Sequence, residues 1–150
     1  MDVRSPGNQF SGFWTENPLL DLTPATQACM IYYEHFNSHQ SYLRIDLLFV
    51  RNQRLEKILS ISPFSEKALC STFSTKAVFW IVPDKGREYP QVVAKLTVNM
   101  EPSPADEDCK PRQSGFTRSY LGVWQWDSKQ NYHQVSGDLD KLYKFYDKYY

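Results

Sequence analysis

Apolar and polar residues alternate along most of the chain, which predicts a protein built mainly from β-strands. The alternation is clearest in residues 42–50, where every second side chain from Leu43 to Phe49 is apolar while Arg44 and Asp46 fall on the opposite face. The predicted strands are residues 10–15, 28–36, 42–50, 55–61, 69–73, 77–82, 89–98 and 116–126. Residues 28–36 and 42–50 form the clearest hairpin.

Two of these strands carry many large apolar side chains. Residues 77–82 are nearly continuous in apolar residues, which predicts that both faces of this strand are covered. In residues 116–126 one face combines four aromatic residues with a glycine, namely Phe116, Tyr120, Gly122, Trp124 and Trp126. Such a face either fills a packed core or lines a cavity.

The hydrophobic period changes near the C-terminus, where residues 138–149 predict an amphipathic helix. Apolar and aromatic side chains recur there at helical spacing, at Leu139, Leu142, Tyr143, Tyr146 and Tyr149. Charged residues occupy the other side, and Ser136 or Asp138 can cap the first turn. About eight sequential strands followed by one helix predict an all-β, mainly antiparallel fold with the helix packed against it.

Length and composition predict a single domain over residues 1–150. The chain has 150 residues, of which 15% are aromatic, and this is enough for one well-buried core. Residues 1–9 are expected to form a loose leader. Residues 101–114, with three prolines and four acidic residues, are expected to form a mobile loop.

Charge and cysteine content narrow the functional classes. Basic and acidic residues number 17 each, so no electrostatic footprint for nucleic acid is present. No apolar run approaches the ~20 residues of a membrane-spanning helix. The first residues lack an apolar signal core, so the chain is cytoplasmic, or secreted if a signal peptide has been removed. Cys29, Cys70 and Cys109 fit either one disulfide and a free thiol or three free thiols.

The chain contains no recognisable catalytic or metal motif. His35 and His39 flank a predicted hairpin turn and therefore do not share a helix face, and His133 has no apparent partner. No nucleophile elbow, phosphate-binding loop or dinucleotide-binding glycine pattern is present. We therefore expect no enzyme activity, no metal and no cofactor.

One short stretch, Phe10-Ser11-Gly12-Phe13-Trp14, resembles the first signature of the lipocalins, Phe-x-Gly-x-Trp. Residues 79–84 followed by 89–95 look similar to the second signature of that family, and residues 18–27 stand where its broad loop would cover the barrel mouth. A last strand followed by an amphipathic helix also matches. Two departures are Pro83-Asp84-Lys85 in place of Thr-Asp-Tyr, and Lys129 where the family carries an arginine, with Arg118 standing at the start of the strand.

The resemblance implies an up-and-down β-barrel of about eight strands that binds and transports a small, largely hydrophobic ligand without catalysis. Gly12 and Trp14 would close the base of the barrel. We expect ligand contacts from Tyr42, Phe79, Val93, Tyr120 and Trp124, since aromatic and aliphatic walls are typical of such a cavity. Arg44 and Asp46 are expected to point to solvent, the alternative being polar anchors in the cavity.

A second hypothesis is a protein–protein interaction module of PH-like or β-sandwich type with no internal ligand. Its partner would contact the Tyr-rich C-terminal helix or residues 101–114. The position of the helix distinguishes the two hypotheses. In a lipocalin-like protein it packs outside the wall, whereas in a PH-like module it caps an open end.

Overall fold

A computed structural model describes residues 11–37, 40–51, 53–67, 71–102, 114–127 and 131–149. Only the backbone is described for residues 11–18, 34–37, 40–42, 51, 63–67, 71–73 and 146–149. The elements are β1 (Ser11–Thr23), β2 (Thr26–Asn37), β3 (Gln40–Arg51), β4 (Arg54–Lys67), β5 (Ser71–Val82), β6 (Gln91–Pro102), β7 (Phe116–Trp126), β8 (Tyr132–Gly137) and α1 (Leu139–Tyr149).

The strands form two antiparallel sheets in which each strand pairs with its neighbour along the chain. Sheet A has the order β1-β2-β3-β4, and sheet B has the order β5-β6-β7-β8. The predicted mainly antiparallel β-structure with one C-terminal helix is thus confirmed. Within the described residues, no strand pairing joins the two sheets, and a closed eight-stranded barrel is not found.

Several predicted boundaries were wrong. Residues 18–27 do not form a broad loop, because β1 continues to Thr23 and a two-residue turn leads into β2. Pro18 is tolerated because β1 is an edge strand and its register shifts between Trp14 and Leu19, where no ladder hydrogen bond is required. Residues 71–73 of the predicted strand 69–73 belong to the same strand as residues 77–82, β5, whereas residues 69 and 70 lie outside the described residues. Strand β8 was not predicted.

One hydrophobic core lies between the two sheets. Sheet A contributes Leu47, Phe49 and Leu59, and sheet B contributes Val92 and Leu96 with neighbouring residues of the same faces. The two sheets meet directly, since the rings of Phe49 and Trp126 lie 6.0 Å apart in an edge-on arrangement. The alternation predicted for β3 is confirmed, because Ile45, Leu47 and Phe49 are all buried.

The connection between β5 and β6 folds over one end of this core. Tyr89, at the end of that connection, packs edge-on against Trp126 at 4.7 Å between ring centroids, and Trp126 packs against Tyr132 at 5.2 Å. The Tyr132 hydroxyl donates a 2.8 Å hydrogen bond to the Pro90 carbonyl. Burial, reinforced by the nearby Tyr89, raises the pKa of Tyr132 far above its ordinary value of 10.0.

Helix α1 packs on the core face of sheet B. Gly122 lies opposite the buried Ala94, and a Cβ added to Gly122 would come within 2.7 Å of Leu139 Cδ1. Leu139 and Leu142 are fully buried in the same cluster as both sheets. The helix also contacts β4 of sheet A, so it packs against strands of both sheets.

Two local contacts fix the position of α1. At its start, the Asp138 carboxylate accepts a 2.7 Å hydrogen bond from the Leu121 amide, and the Asp138 amide donates to the Leu121 carbonyl at 2.8 Å. Farther along, Phe145 packs edge-on against Phe116 at 5.2 Å. The helix is therefore held against β7 both at its start, through Asp138, and farther along, through Phe145.

Candidate functional site

The predicted ligand-contacting residues are divided between two faces of sheet B. Tyr120 and Trp124 are buried members of the shared core, and Phe79 packs against that core. Val93 is also buried, yet it lies opposite Trp80 and Val123 on the face turned away from the core. The structure therefore brings Phe79, Tyr120 and Trp124 together and separates Val93 from them.

Three further predicted residues are described only by their backbone or strand register. Gly12 pairs with Tyr33 and Trp14 pairs with Ile31, both in the β1–β2 ladder. Tyr42 pairs with His35 in the β2–β3 ladder. The side chains of Trp14 and Tyr42 lie outside the described part of the chain, so closure of a barrel base by Trp14 stays a prediction.

A charged cluster lies on the outward face of sheet A. Asp46 is only 3% exposed, and its carboxylate accepts a 2.6 Å hydrogen bond from the Ser60 hydroxyl. The Arg44 Nε lies 3.3 Å from the other carboxylate oxygen, and the guanidinium stacks over the Tyr33 ring at 4.5 Å. The prediction that both charged residues point to solvent was therefore wrong for Asp46, because its carboxylate is buried and contacts Ser60 and Arg44.

Several apolar side chains lie together on the outward face of sheet B. We call this group the outer patch, and it consists of Val78, Trp80, Val82, Val93, Leu121 and Val123. Trp80, Val93 and Val123 form one row across three strands. Val78, Trp80 and Val82 are 38–46% exposed. The prediction that both faces of residues 77–82 are covered was therefore wrong.

A polar half of the same face borders the outer patch. Thr97 and Ser119 share a hydrogen bond at 3.0 Å, and the Thr117 hydroxyl donates to the Asn99 side-chain oxygen at 2.9 Å. Lys95 stands between Val78 and Leu121 in the ladder, inside the patch itself. The outward face of sheet B thus changes from polar to apolar toward the turn between β5 and β6.

The described titratable residues do not assemble a recognisable metal site. In the described ranges, no group of three His, Cys, Asp or Glu side chains is placed to hold a metal ion. His133 Nδ1 lies 3.6 Å from an Asp127 carboxylate oxygen at the start of β8. Cys29 is a free, half-buried thiol whose pKa is raised by burial. Cys70, Cys109 and His39 lie outside the described residues.

The alternative partner surfaces are only partly described. Tyr143 is an exposed residue of α1, whereas the side chains of Tyr146, Tyr149 and Tyr150 lie outside the description, as does most of the predicted loop 101–114. Arg118 stacks over the Phe116 and Phe145 rings at 4.8 and 5.7 Å. Its cation therefore supports the contact between β7 and α1.

Comparison with protein-family models, with curated proteins and with solved structures gives no significant match. The described part of the chain contains no helix long and apolar enough to cross a membrane.

The outer patch was not among the sequence-predicted sites, although a signal for it was present. Residues 77–82 read equally well as one strand with two apolar faces, of which one packs inward and the other remains outside.

Proposed function

We propose that the protein is a non-catalytic protein–protein interaction module of sandwich or PH-like type, with the outer patch as its binding surface. The observation that carries this proposal is the position of α1 on the core face of sheet B, in contact with β7 and with β4 of sheet A. A helix in that position closes the open side of a two-sheet sandwich, and this is the arrangement expected of the interaction module.

The burial of the predicted lining residues supports the same proposal. Tyr120 and Trp124 pack in a cluster that also contains Leu139 and Leu142 of α1. Aromatic side chains that contact one another and a helix contribute their surface to folding, at about 25 cal/mol per Å² of buried apolar area. The same area does not then contribute to binding a ligand.

The outer patch has the composition of a binding surface. A tryptophan and several branched aliphatic side chains are exposed together on one sheet face, and contiguous apolar patches of this kind mark interaction sites. Tryptophan is enriched at the centre of protein interfaces because it buries a large area with few rotamers to order. Trp80 lies between Val78 and Val82 on β5, at the end of the row that continues through Val93 and Val123.

A lipocalin-like barrel that binds a small hydrophobic molecule is the second candidate. The strictly sequential order of eight antiparallel strands favours it, since an up-and-down barrel has that order. Strands β4 and β5 contact each other, and in a barrel this contact would be one of the two places where the sheets join. Phe79, Tyr120 and Trp124, with Tyr42, would then line the cavity.

Native mass spectrometry and partner capture together test the two candidates. The native mass is compared with the denatured mass, and a mass excess lost on denaturation would favour the ligand-binding barrel. Proteins captured by the wild type are then compared with those captured by Trp80→Ser and by Val50→Ser, which removes an exposed aliphatic side chain of sheet A. The interaction module is expected to show no mass excess and to lose its partner only with Trp80→Ser.

A further inference from the structure

We propose that the outer patch binds an acidic, apolar segment of a protein partner, an inference that rests on the proposed interaction function. The observation behind it is the pattern of charge on the outward face of sheet B. Lys95 lies between Val78 and Leu121, in the row of the patch that borders the polar half, and Lys76 follows in the next row of the ladder, opposite Thr97.

Neither lysine is neutralised within the described part of the molecule. Lys95 and Lys76 are both exposed, and no described carboxylate lies within ion-pair distance of either ammonium group. Asp84, beyond the apolar edge of this face, is already engaged, because its carboxylate accepts from Gln125 at 2.6 Å and lies 3.3 Å from the Arg87 Nε. Lys95 therefore presents a positive charge between the apolar side chains of Val78 and Leu121.

This combination determines what the partner has to supply. Covering the outer patch removes water from Lys95, and burying an ammonium group without a counterion is strongly unfavourable. The partner must therefore place a carboxylate near Lys95 while its apolar side chains cover Trp80 and Leu121. Apolar burial supplies affinity, and the ion pair supplies selectivity and a faster association rate.

A second copy of this chain fits the surface less well than an acidic partner does. In a two-fold interface the same patch faces itself, so both copies bring Lys95 into the interface and the outer patch of neither copy supplies a carboxylate for it. Two like charges in a partly desolvated interface repel each other. The charge on the patch thus argues against self-association through it.

Selection from a displayed library of random peptides tests this inference. The immobilised baits are the full-length wild type, Lys95→Glu, Lys57→Glu and Trp80→Ser. Lys57 is an exposed lysine on β4 of sheet A, so its reversal changes net charge equally and matches Lys95→Glu. Enriched peptides are then synthesised with a fluorophore, and their Kd is measured by anisotropy at low and high salt.

We expect the wild type and Lys57→Glu to enrich peptides in which Asp or Glu is flanked by apolar residues. Lys95→Glu should raise the Kd of these peptides by about tenfold, the effect expected of losing a partly buried charge pair. This bait should instead enrich peptides with Lys or Arg. High salt should reduce the difference. Thermal melting of each bait checks that it is folded.

Three results would overturn the inference, and they differ in what they leave standing. Uncharged apolar peptides that bind Lys95→Glu as well as wild type would refute the acidic partner but leave the interaction module intact, provided that Trp80→Ser abolishes binding. Peptides whose binding does not depend on Trp80 would refute both proposals. Concentration-dependent dimerisation lost in Trp80→Ser would identify a second copy as the occupant.

Discussion

Gly137 is required by its backbone conformation and by its surroundings. Its φ is +118°, and an added Cβ would overlap the Leu121 carbonyl oxygen. Gly86 also has a positive φ, of +87°, but nothing lies within 4 Å of its missing Cβ. Comparing substitutions at the two positions therefore separates the cost of backbone strain from the cost of steric overlap.

We predict that Gly137→Ala lowers the free energy of unfolding by about 2–4 kcal/mol, the sum of a positive-φ penalty and overpacking against β7. Gly86→Ala should cost only about 1–2 kcal/mol, from φ alone. Urea denaturation followed by circular dichroism measures both. Equal losses in the two variants would show that the contact with Leu121 is not what selects glycine at position 137.

Tyr132 should make the protein sensitive to alkaline pH. Because burial raises its pKa in the folded state, the phenol stays protonated there while the unfolded chain ionises above about pH 10. The unfolded state then binds fewer protons, so stability falls as pH rises, by up to about 1.4 kcal/mol per pH unit.

Thermal melts between about pH 9 and pH 12 measure this slope, because that range includes the ordinary tyrosine pKa of about 10. Tyr132→Phe should melt lower than wild type at neutral pH, because it loses the hydrogen bond to Pro90, and should show a shallower decline in the alkaline range. A residual slope is expected from Tyr32, whose pKa is also raised by burial, and from Tyr143, which is 38% exposed and whose pKa is raised by the burial of the rest of its side chain. An unchanged slope in Tyr132→Phe would contradict the prediction.

Among the elements, α1 is the one whose packing bears most directly on function. Leu142 is fully buried in the shared core, whereas Tyr143, the next residue, is exposed. We predict that Leu142→Ala lowers the free energy of unfolding by about 2–5 kcal/mol, as for other buried leucines, and that Tyr143→Ala costs less than about 1 kcal/mol. Chemical denaturation of both variants measures the difference, and similar small losses would mean that the helix does not pack in the core.

Strand β5 illustrates what its local pattern could and could not predict. The apolar run of residues 77–82 correctly predicted a strand, and one of its faces does pack inward through Phe79. Its other face was expected to be covered as well. Whether a second apolar face is covered depends on which element lies across it, and that is a long-range property that no local window of sequence contains.

Strand β3 shows the same limit for a charged pair. Alternation correctly placed Arg44 and Asp46 on the face opposite the core. It gave no sign that Asp46 would be buried there, because the hydrogen bond from Ser60 depends on the register between β3 and β4. That register shifts twice along the ladder, and such irregularities are not visible in periodicity.

For the molecule as a whole, one core spanning both sheets predicts cooperative unfolding. Leu47 of sheet A and Leu96 of sheet B are both fully buried in the same cluster, so removing either should destabilise both sheets. We expect Leu47→Ala and Leu96→Ala each to shift the transitions seen by tryptophan fluorescence and by far-ultraviolet circular dichroism together. Separate transitions in either variant would indicate two independent units.

The strand content, the sequential order and the C-terminal helix were predictable because they follow from hydrophobic periodicity and turn residues. The arrangement of the two sheets was not, since closure depends on where the edges of β1, β4, β5 and β8 lie in space. The same contrast between local and long-range properties applies to the candidate site. Aromatic residues of β7 were correctly assigned to one face, but sequence could not tell a packed core from a cavity.

The division of the chain between the two sheets has a further consequence. Sheet A ends at Lys67 and sheet B begins at Ser71, so every backbone pairing described lies within one half of the sequence. Cutting the chain between them would leave each half with its own complete meander and would uncover the core face of each sheet. Two such fragments are expected to recognise each other and restore the fold, which makes this protein a natural candidate for a split reporter reassembled by fragment complementation.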